Sequence, residues 1–134
     1  SSSNSQKWMD NPLLGTELIG KASFYGPGFH GRVTANGERM DQNAMTCASK
    51  ELPFNTMLEV TYPEKGTQVI VRVNDRGPFI PGRIIDLSQG AAEVLNMIDD
   101  GVVDVEVMVV GDDGHVYIRN TSPFSHFLDS IFEE

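Results

Sequence analysis

Val71–Leu87 reads VRVNDRGPFIPGRIIDL: two runs of β-branched residues on either side of a turn crowded with Gly and Pro. β-Branched residues fit a pleated, half-buried surface, and Gly and Pro punctuate it, so the stretch reads as strand, sharp turn, strand. Strands are expected at Thr67–Asp75 and Arg83–Leu87. Upstream, Met57–Tyr62 is a further strand, and Pro63-Glu64-Lys65-Gly66 joins it to Thr67 as a hairpin with proline early and glycine late. Downstream, in Val102–Val110 (VVDVEVMVV), Val103, Val105, Val107 and Val109 share one side while Asp104 and Glu106 take the other. Successive side chains of a strand point to opposite faces, so one face is core and one meets water.

Shorter strands are expected at Lys21–Tyr25 and Met45–Ser49, and a helix at Gln89–Asn96 with Ser88 as its cap. Ser1–Ile19 is serine-rich with scattered apolar residues and reads as an arm or linker, which places the folded unit at residues 20–110. Residues 111–134 form an extension: a possible strand in HVYIRN, then a short amphipathic helix with Phe124, Phe127, Leu128 and Ile131 at helical spacing behind Ser122 and Pro123. The reading is one mainly β domain with one or two short helices, consistent with 134 residues, 40% hydrophobic content, 13 Gly and 7 Pro.

The charge balance, 10 Lys+Arg against 19 Asp+Glu, opposes attraction to a polyanion and makes nucleic acid a poor partner. Neutral sugars, bound through hydrogen bonds and ring faces, remain compatible with it. Cys47 is the single cysteine, so no internal disulfide forms; it is expected as a small half-buried strand residue rather than a nucleophile. No run approaches the roughly 18 apolar residues of a membrane span, and SSSNSQKWMDNP has neither the basic nor the apolar region of a secretion signal.

Five motifs stand in order between Gly20 and Val110: GKASFYG (20–26), FHGRVTANGE (29–38), LPFNT (52–56), NDRGP (74–78) and GRIIDLS (82–88). Together they resemble the rare lipoprotein A family, whose domain is a six-stranded double-psi β-barrel. The resemblance implies a lytic transglycosylase acting on peptidoglycan glycan strands. In that chemistry the muramyl 6-hydroxyl displaces the glycosidic oxygen and leaves a 1,6-anhydro end, with neither metal nor organic cofactor. It also implies the periplasmic side of a bacterial cell envelope, a lipid anchor upstream of this sequence, and cell-envelope or division proteins as partners.

The chemistry needs a proton for the leaving oxygen and a base for the 6-hydroxyl, and one carboxyl group can serve in turn. Asp75, at a strand end before Arg-Gly-Pro, is the expected acid/base, and alternation turns Arg76 to the opposite side. Glu38, closing TANGE, is expected as a second carboxylate that assists Asp75 or stabilises positive charge at C1. Ser49, Tyr25, His30, Asn36, Asn74 and Arg76 are expected to bind substrate around them, Tyr25 through its ring and hydroxyl and His30 mainly by shaping its loop. Where the family has T-A-A-H, this chain has Thr46-Cys47-Ala48-Ser49. Serine cannot relay a proton near neutral pH, so a non-catalytic glycan-binding or division module is the alternative reading. Glu38, Ser49 and Asp75 are expected to converge on one open groove. Asp86 is expected to be at least as much a buried structural carboxylate as a chemical one. His115 and His126 are expected at the surface. GPGFHG lacks the Gly-Lys-Ser/Thr ending of a phosphate loop, and DRG is not the Asp-Thr/Ser-Gly of aspartic proteases.

Overall fold

The computed structural model describes residues 11–117. In chain order its elements are β1 (Glu17–Phe24), a 3-10 turn (Pro27–Phe29), β2 (Thr46–Ala48), β3 (Met57–Tyr62), β4 (Thr67–Asp75), β5 (Arg83–Leu87), α1 (Gln89–Leu95), β6 (Val103–Asp112) and β7 (His115–Val116). The strands hydrogen-bond in the order β1-β5-β2-β4-β3-β6-β7, and β6 pairs a second time, with β1. That pairing closes the first six strands into a barrel, and β7 is a short flap on β6. β1/β5 and β2/β4 run parallel; the other pairs in the barrel are antiparallel.

The valine alternation in β6 is realised: Val103, Val105, Val107 and Val109 are buried, and Asp104 and Glu106 are exposed. They meet Val60, Val71, Val73, Ile85 and Leu87 in one core, which Leu95 and Met97 from α1 and its exit complete. The Ser88 hydroxyl accepts from the Ala91 amide at 3.1 Å and donates to the Ala44 carbonyl at 2.5 Å, so the helix start is capped and tied to the loop before β2. Asn96 ends the helix in the left-handed conformation, φ 63°. The β3–β4 hairpin closes at Pro63–Gly66, with Gly66 at φ 70° and its amide on the Tyr62 carbonyl at 2.8 Å.

Two expectations are corrected here. The chain joins the barrel before Gly20: β1 begins at Glu17 and pairs with β6 from Glu17↔Met108 to Ala22↔Val103, Leu13 and Leu14 pack on the core, and Asn11 donates to Asp112 at 2.6 Å. Leu18 and Ile19 in this half of β1 are both exposed, so no alternation announces the strand; pairing with β6 creates it. Cys47 is fully rather than half buried, because β2 lies between β4 and β5. Burial pushes its thiol well up from the ordinary range, which removes the thiolate a nucleophile needs. The expected C-terminal helix and His126 lie outside the described residues. Of HVYIRN, His115–Val116 form β7, with His115 exposed.

Candidate active site

Two registers, one parallel and one antiparallel, decide the site. Ala48 of β2 is the Cα partner of Asp75 on β4 and, on its other side, of Asp86 on β5. Directly paired residues share a face of the sheet, so the two carboxylates flank Ala48, two strand spacings or roughly 10 Å apart at Cα. Both aspartates line one open cleft of about 370 Å³, within the range of roughly 300–1,000 Å³ typical of small-ligand sites. Ala48 itself is fully buried and lies outside the cleft lining.

Asp75 is held by three donors. The Tyr25 hydroxyl reaches Oδ2 at 2.8 Å, and the amides of Ala35 and Arg76 reach Oδ1 at 2.8 and 2.9 Å. Burial and the Asp75 carboxylate raise the Tyr25 hydroxyl far above the ordinary tyrosine range, so it stays a donor at any working pH. Tyr25 was expected to offer its hydroxyl to sugar; that group is instead committed to positioning Asp75. The Ser23 hydroxyl donates to Asp86 Oδ1 from the neighbouring position on β1. The turn after Asp75 folds over the cleft. Gly77 has φ 131°, a conformation open to glycine and strained for other residues, and it brings Pro78, Phe79 and Ile80 to the rim. Phe79 is 76% exposed there, an apolar ring facing solvent beside two carboxylates.

The Arg76 side chain leaves Asp75 alone. Its guanidinium donates to the carbonyls of Leu52 (2.8 Å) and Ser49 (3.3 Å) and lies 4.0 Å from the Phe54 ring centre.

Of the three residues expected to share one groove, Asp75 lines this cleft, and Glu38 and Ser49 are not in its lining. Glu38 is outside the cleft lining: Arg72 grips both its oxygens, at 2.8 and 3.0 Å, and Asn74 donates a third bond at 3.1 Å. Asn36 accepts from the Thr34 hydroxyl and the Glu38 amide, and its own amide donates to the Asn74 carbonyl. Asn36, Glu38 and Asn74 therefore brace the 34–38 loop against β4 rather than line the cleft. The Ser49 hydroxyl accepts from the Leu52 amide at 3.3 Å, and the residue is 6% exposed and lines a separate groove with Leu18, Leu52 and Ile84. Its amide donates to the Asp75 carbonyl. His30 is exposed, accepts the Gln42 amide on Nδ1 at 3.1 Å, and is likewise outside the lining. The cleft residues missed from sequence are Asp86 as a second carboxylate and Arg32 and Arg83 on the walls. A signal existed only for Asp86, in its place in GRIIDLS.

Residues 18–107 match the family model described as lytic transglycolase. The chain belongs to the lytic transglycolase family. It is 55% identical over 98 residues to the endolytic peptidoglycan transglycosylase RlpA of Campylobacter jejuni, covering 73% of this chain and 36% of that protein. Against the protein of the same name from Helicobacter pylori strain J99 it is 46% identical over 121 residues, 90% of this chain and 38% of that one. The chain thus spans little more than a third of the length of these curated relatives. Among solved structures, the Streptomyces papain inhibitor superposes with TM-score 0.58 at 26% identity, over 74% of this chain and 97% of that one. A Clavibacter michiganensis expansin superposes with TM-score 0.57 at 23% identity, over 80% and 52%, a likeness of fold alone. The fold is the double-psi β-barrel of these neighbours.

Within this family member, Glu38 makes a stability prediction instead of a catalytic one. The Arg72 hydrogen bonds, with help from Asn74 and Asn36 and against partial desolvation, hold its carboxyl below the usual glutamate range. A depressed folded-state pKa contributes stability that is complete above the unfolded value and is lost as pH falls through the folded one. The urea midpoint is expected to fall as pH drops below about 4.3, the unfolded glutamate pKa, and Glu38→Gln is expected to flatten that part of the profile. The side chain is 40% exposed, so the screened contribution is small. An unchanged profile in the variant overturns this account.

Proposed function

We propose that this domain is a lytic transglycosylase that cleaves peptidoglycan glycan strands on the periplasmic side of the bacterial cell envelope. The observation that carries the reading is the pair Asp75 and Asp86, on either side of Ala48 and lining one open cleft. The names of the relatives, endolytic peptidoglycan transglycosylases, supply the polymer.

Asp75 acts first as the acid. Its proton passes to the glycosidic oxygen, the C1–O bond breaks, and positive charge develops at C1 and the ring oxygen. Asp86 stabilises that charge from across the cleft. The Asp75 carboxylate then takes the proton of the muramyl 6-hydroxyl as O6 bonds to C1, which closes the anhydro ring and restores the protonated acid. No water is consumed. The Tyr25, Ala35 and Arg76 donors keep the Asp75 carboxyl in one orientation through both transfers.

Purified sacculi incubated with the protein are expected to release soluble muropeptides ending in 1,6-anhydro rings, identified by mass. Release of fragments with hydrated reducing ends makes the protein a hydrolase. Binding to sacculi without any release favours the non-catalytic glycan-binding module.

A further inference from the structure

We propose that the Phe79 ring is a stacking platform for the N-acetylglucosaminyl ring that adjoins the reacting muramyl ring, and that it fixes the strand beside Asp86. The proposal rests on the peptidoglycan reading above and adds to it the residue that holds the unreacting sugar.

The distribution of exposed apolar side chains carries it. Among the described residues nine large hydrophobic side chains are exposed, and four of them, Phe29, Val33, Phe79 and Ile80, line this one cleft. Single exposed apolar residues are ordinary, whereas a cluster of them in a cleft marks a binding surface. The four are not equivalent. Phe29 is 43% exposed and already engaged: the Arg32 guanidinium lies 5.3 Å over its ring, and Tyr25 packs against it with 5.3 Å between ring centres. Phe79 is the most exposed of the four, at 76%, and among the described residues its ring has no aromatic or cationic partner. It is also the best placed. A β-carbon at Gly77 would lie 3.7 Å from the Phe79 ring and 4.0 Å from Asp86 Oδ2, so a single point is within van der Waals reach of both the ring and the carboxylate.

A flat, bare ring suits a sugar with apolar faces. In a β-1,4-linked strand of gluco configuration each chair carries its substituents equatorially and only axial C–H groups above and below, the surface on which an aromatic face packs. The reacting ring is excluded from that contact by its own chemistry: O6 reaches C1 only after the C5–C6 bond turns axial, which takes the ring out of its chair. Both neighbours of a muramyl ring in the strand are N-acetylglucosaminyl, and they stay chairs. Stacking one of them on Phe79 anchors the strand while the muramyl ring distorts between Asp75 and Asp86. Because that stack is the same before and during the reaction, it lowers KM and leaves kcat unchanged.

The binding test uses the full chain carrying Asp75→Asn, so that strands are not consumed, and soluble glycan strands freed from sacculi by an amidase. Phe79→Ala in that background is expected to weaken binding roughly ten- to a hundredfold, the value of burying one phenyl ring. Phe79→Leu, which keeps apolar bulk without a flat face, is expected to fall in the same range. Phe79→Tyr is expected to bind within a few-fold of the phenylalanine protein, with the urea midpoint unmoved in all three. Binding by Phe79→Ala or Phe79→Leu within a few-fold of the phenylalanine protein overturns the platform, as does a Phe79→Tyr protein as weak as Phe79→Ala, or no binding by the Asp75→Asn protein itself. Kinetics with Asp75 intact place the stacked ring: Phe79→Ala is expected to raise KM by the same factor and leave kcat within a few-fold. A fall in kcat at unchanged KM puts the phenyl ring on the reacting sugar and overturns the assignment to its neighbour. Anhydro product together with a Phe79→Ala protein that binds like its parent defeats the platform alone. A Phe79-dependent affinity without anhydro product defeats the transglycosylase reading and leaves Phe79 as a glycan contact.

Discussion

Asp75→Asn is expected to lower the rate of anhydro-muropeptide release by about 10²–10⁴, the usual contribution of a positioned acid/base. Asparagine has the same shape, and its carbonyl oxygen still accepts the Ala35 and Arg76 amides, so the loop over the cleft keeps its anchor. The proton transfers are lost, together with the bond donated by the Tyr25 hydroxyl, which an amide nitrogen in place of Oδ2 cannot accept. The measurement is the initial rate on purified sacculi, with the urea midpoint as the control for folding. A variant that keeps more than a tenth of the parent rate would remove Asp75 from the chemistry. Ser49→Ala is the useful contrast, because Ser49 is buried under its own turn and outside the cleft. That change should cost about 1 kcal/mol of stability for the lost hydrogen bond and leave the rate within a few-fold.

The second large effect is expected at Asp86. Removing a preorganised group that stabilises transition-state charge typically costs about 10²–10³ in rate, and Asp86→Asn should fall in that range with binding of intact strands little changed. Glu38→Gln, made in parallel, should leave the rate within a few-fold, since the Glu38 carboxylate is committed to Arg72 and Asn74. The pair of variants separates two placements of the second carboxylate. A reversed result, with Glu38→Gln the damaging change, would require the Arg72–Glu38 pair to open when substrate binds and would contradict the assignment of Asp86. The urea midpoint of each variant, measured alongside, separates a general loss of fold from either outcome.

Much of the barrel was legible in the sequence. Alternating valines fixed the inner face of β6, Gly66 and Pro63 fixed the β3–β4 hairpin, and Ser88 fixed the start of α1, because each depends on residues within a few positions of one another. The five motifs added the family and the barrel, and they singled out Asp75. The tertiary structure decided the rest. Period-2 patterning tells which face a residue takes and says nothing about which strand lies beside it. Parallel pairing of β2 with β4, and antiparallel pairing of β2 with β5, put Ala48 between Asp75 and Asp86, and neither pairing leaves a local trace. The partners of charged groups are equally non-local: Arg72 claims Glu38 across a loop, and Tyr25 reaches Asp75 from another strand end. Glu17–Gly20, with its apolar side chains turned outward, becomes a strand only because β6 offers it hydrogen bonds.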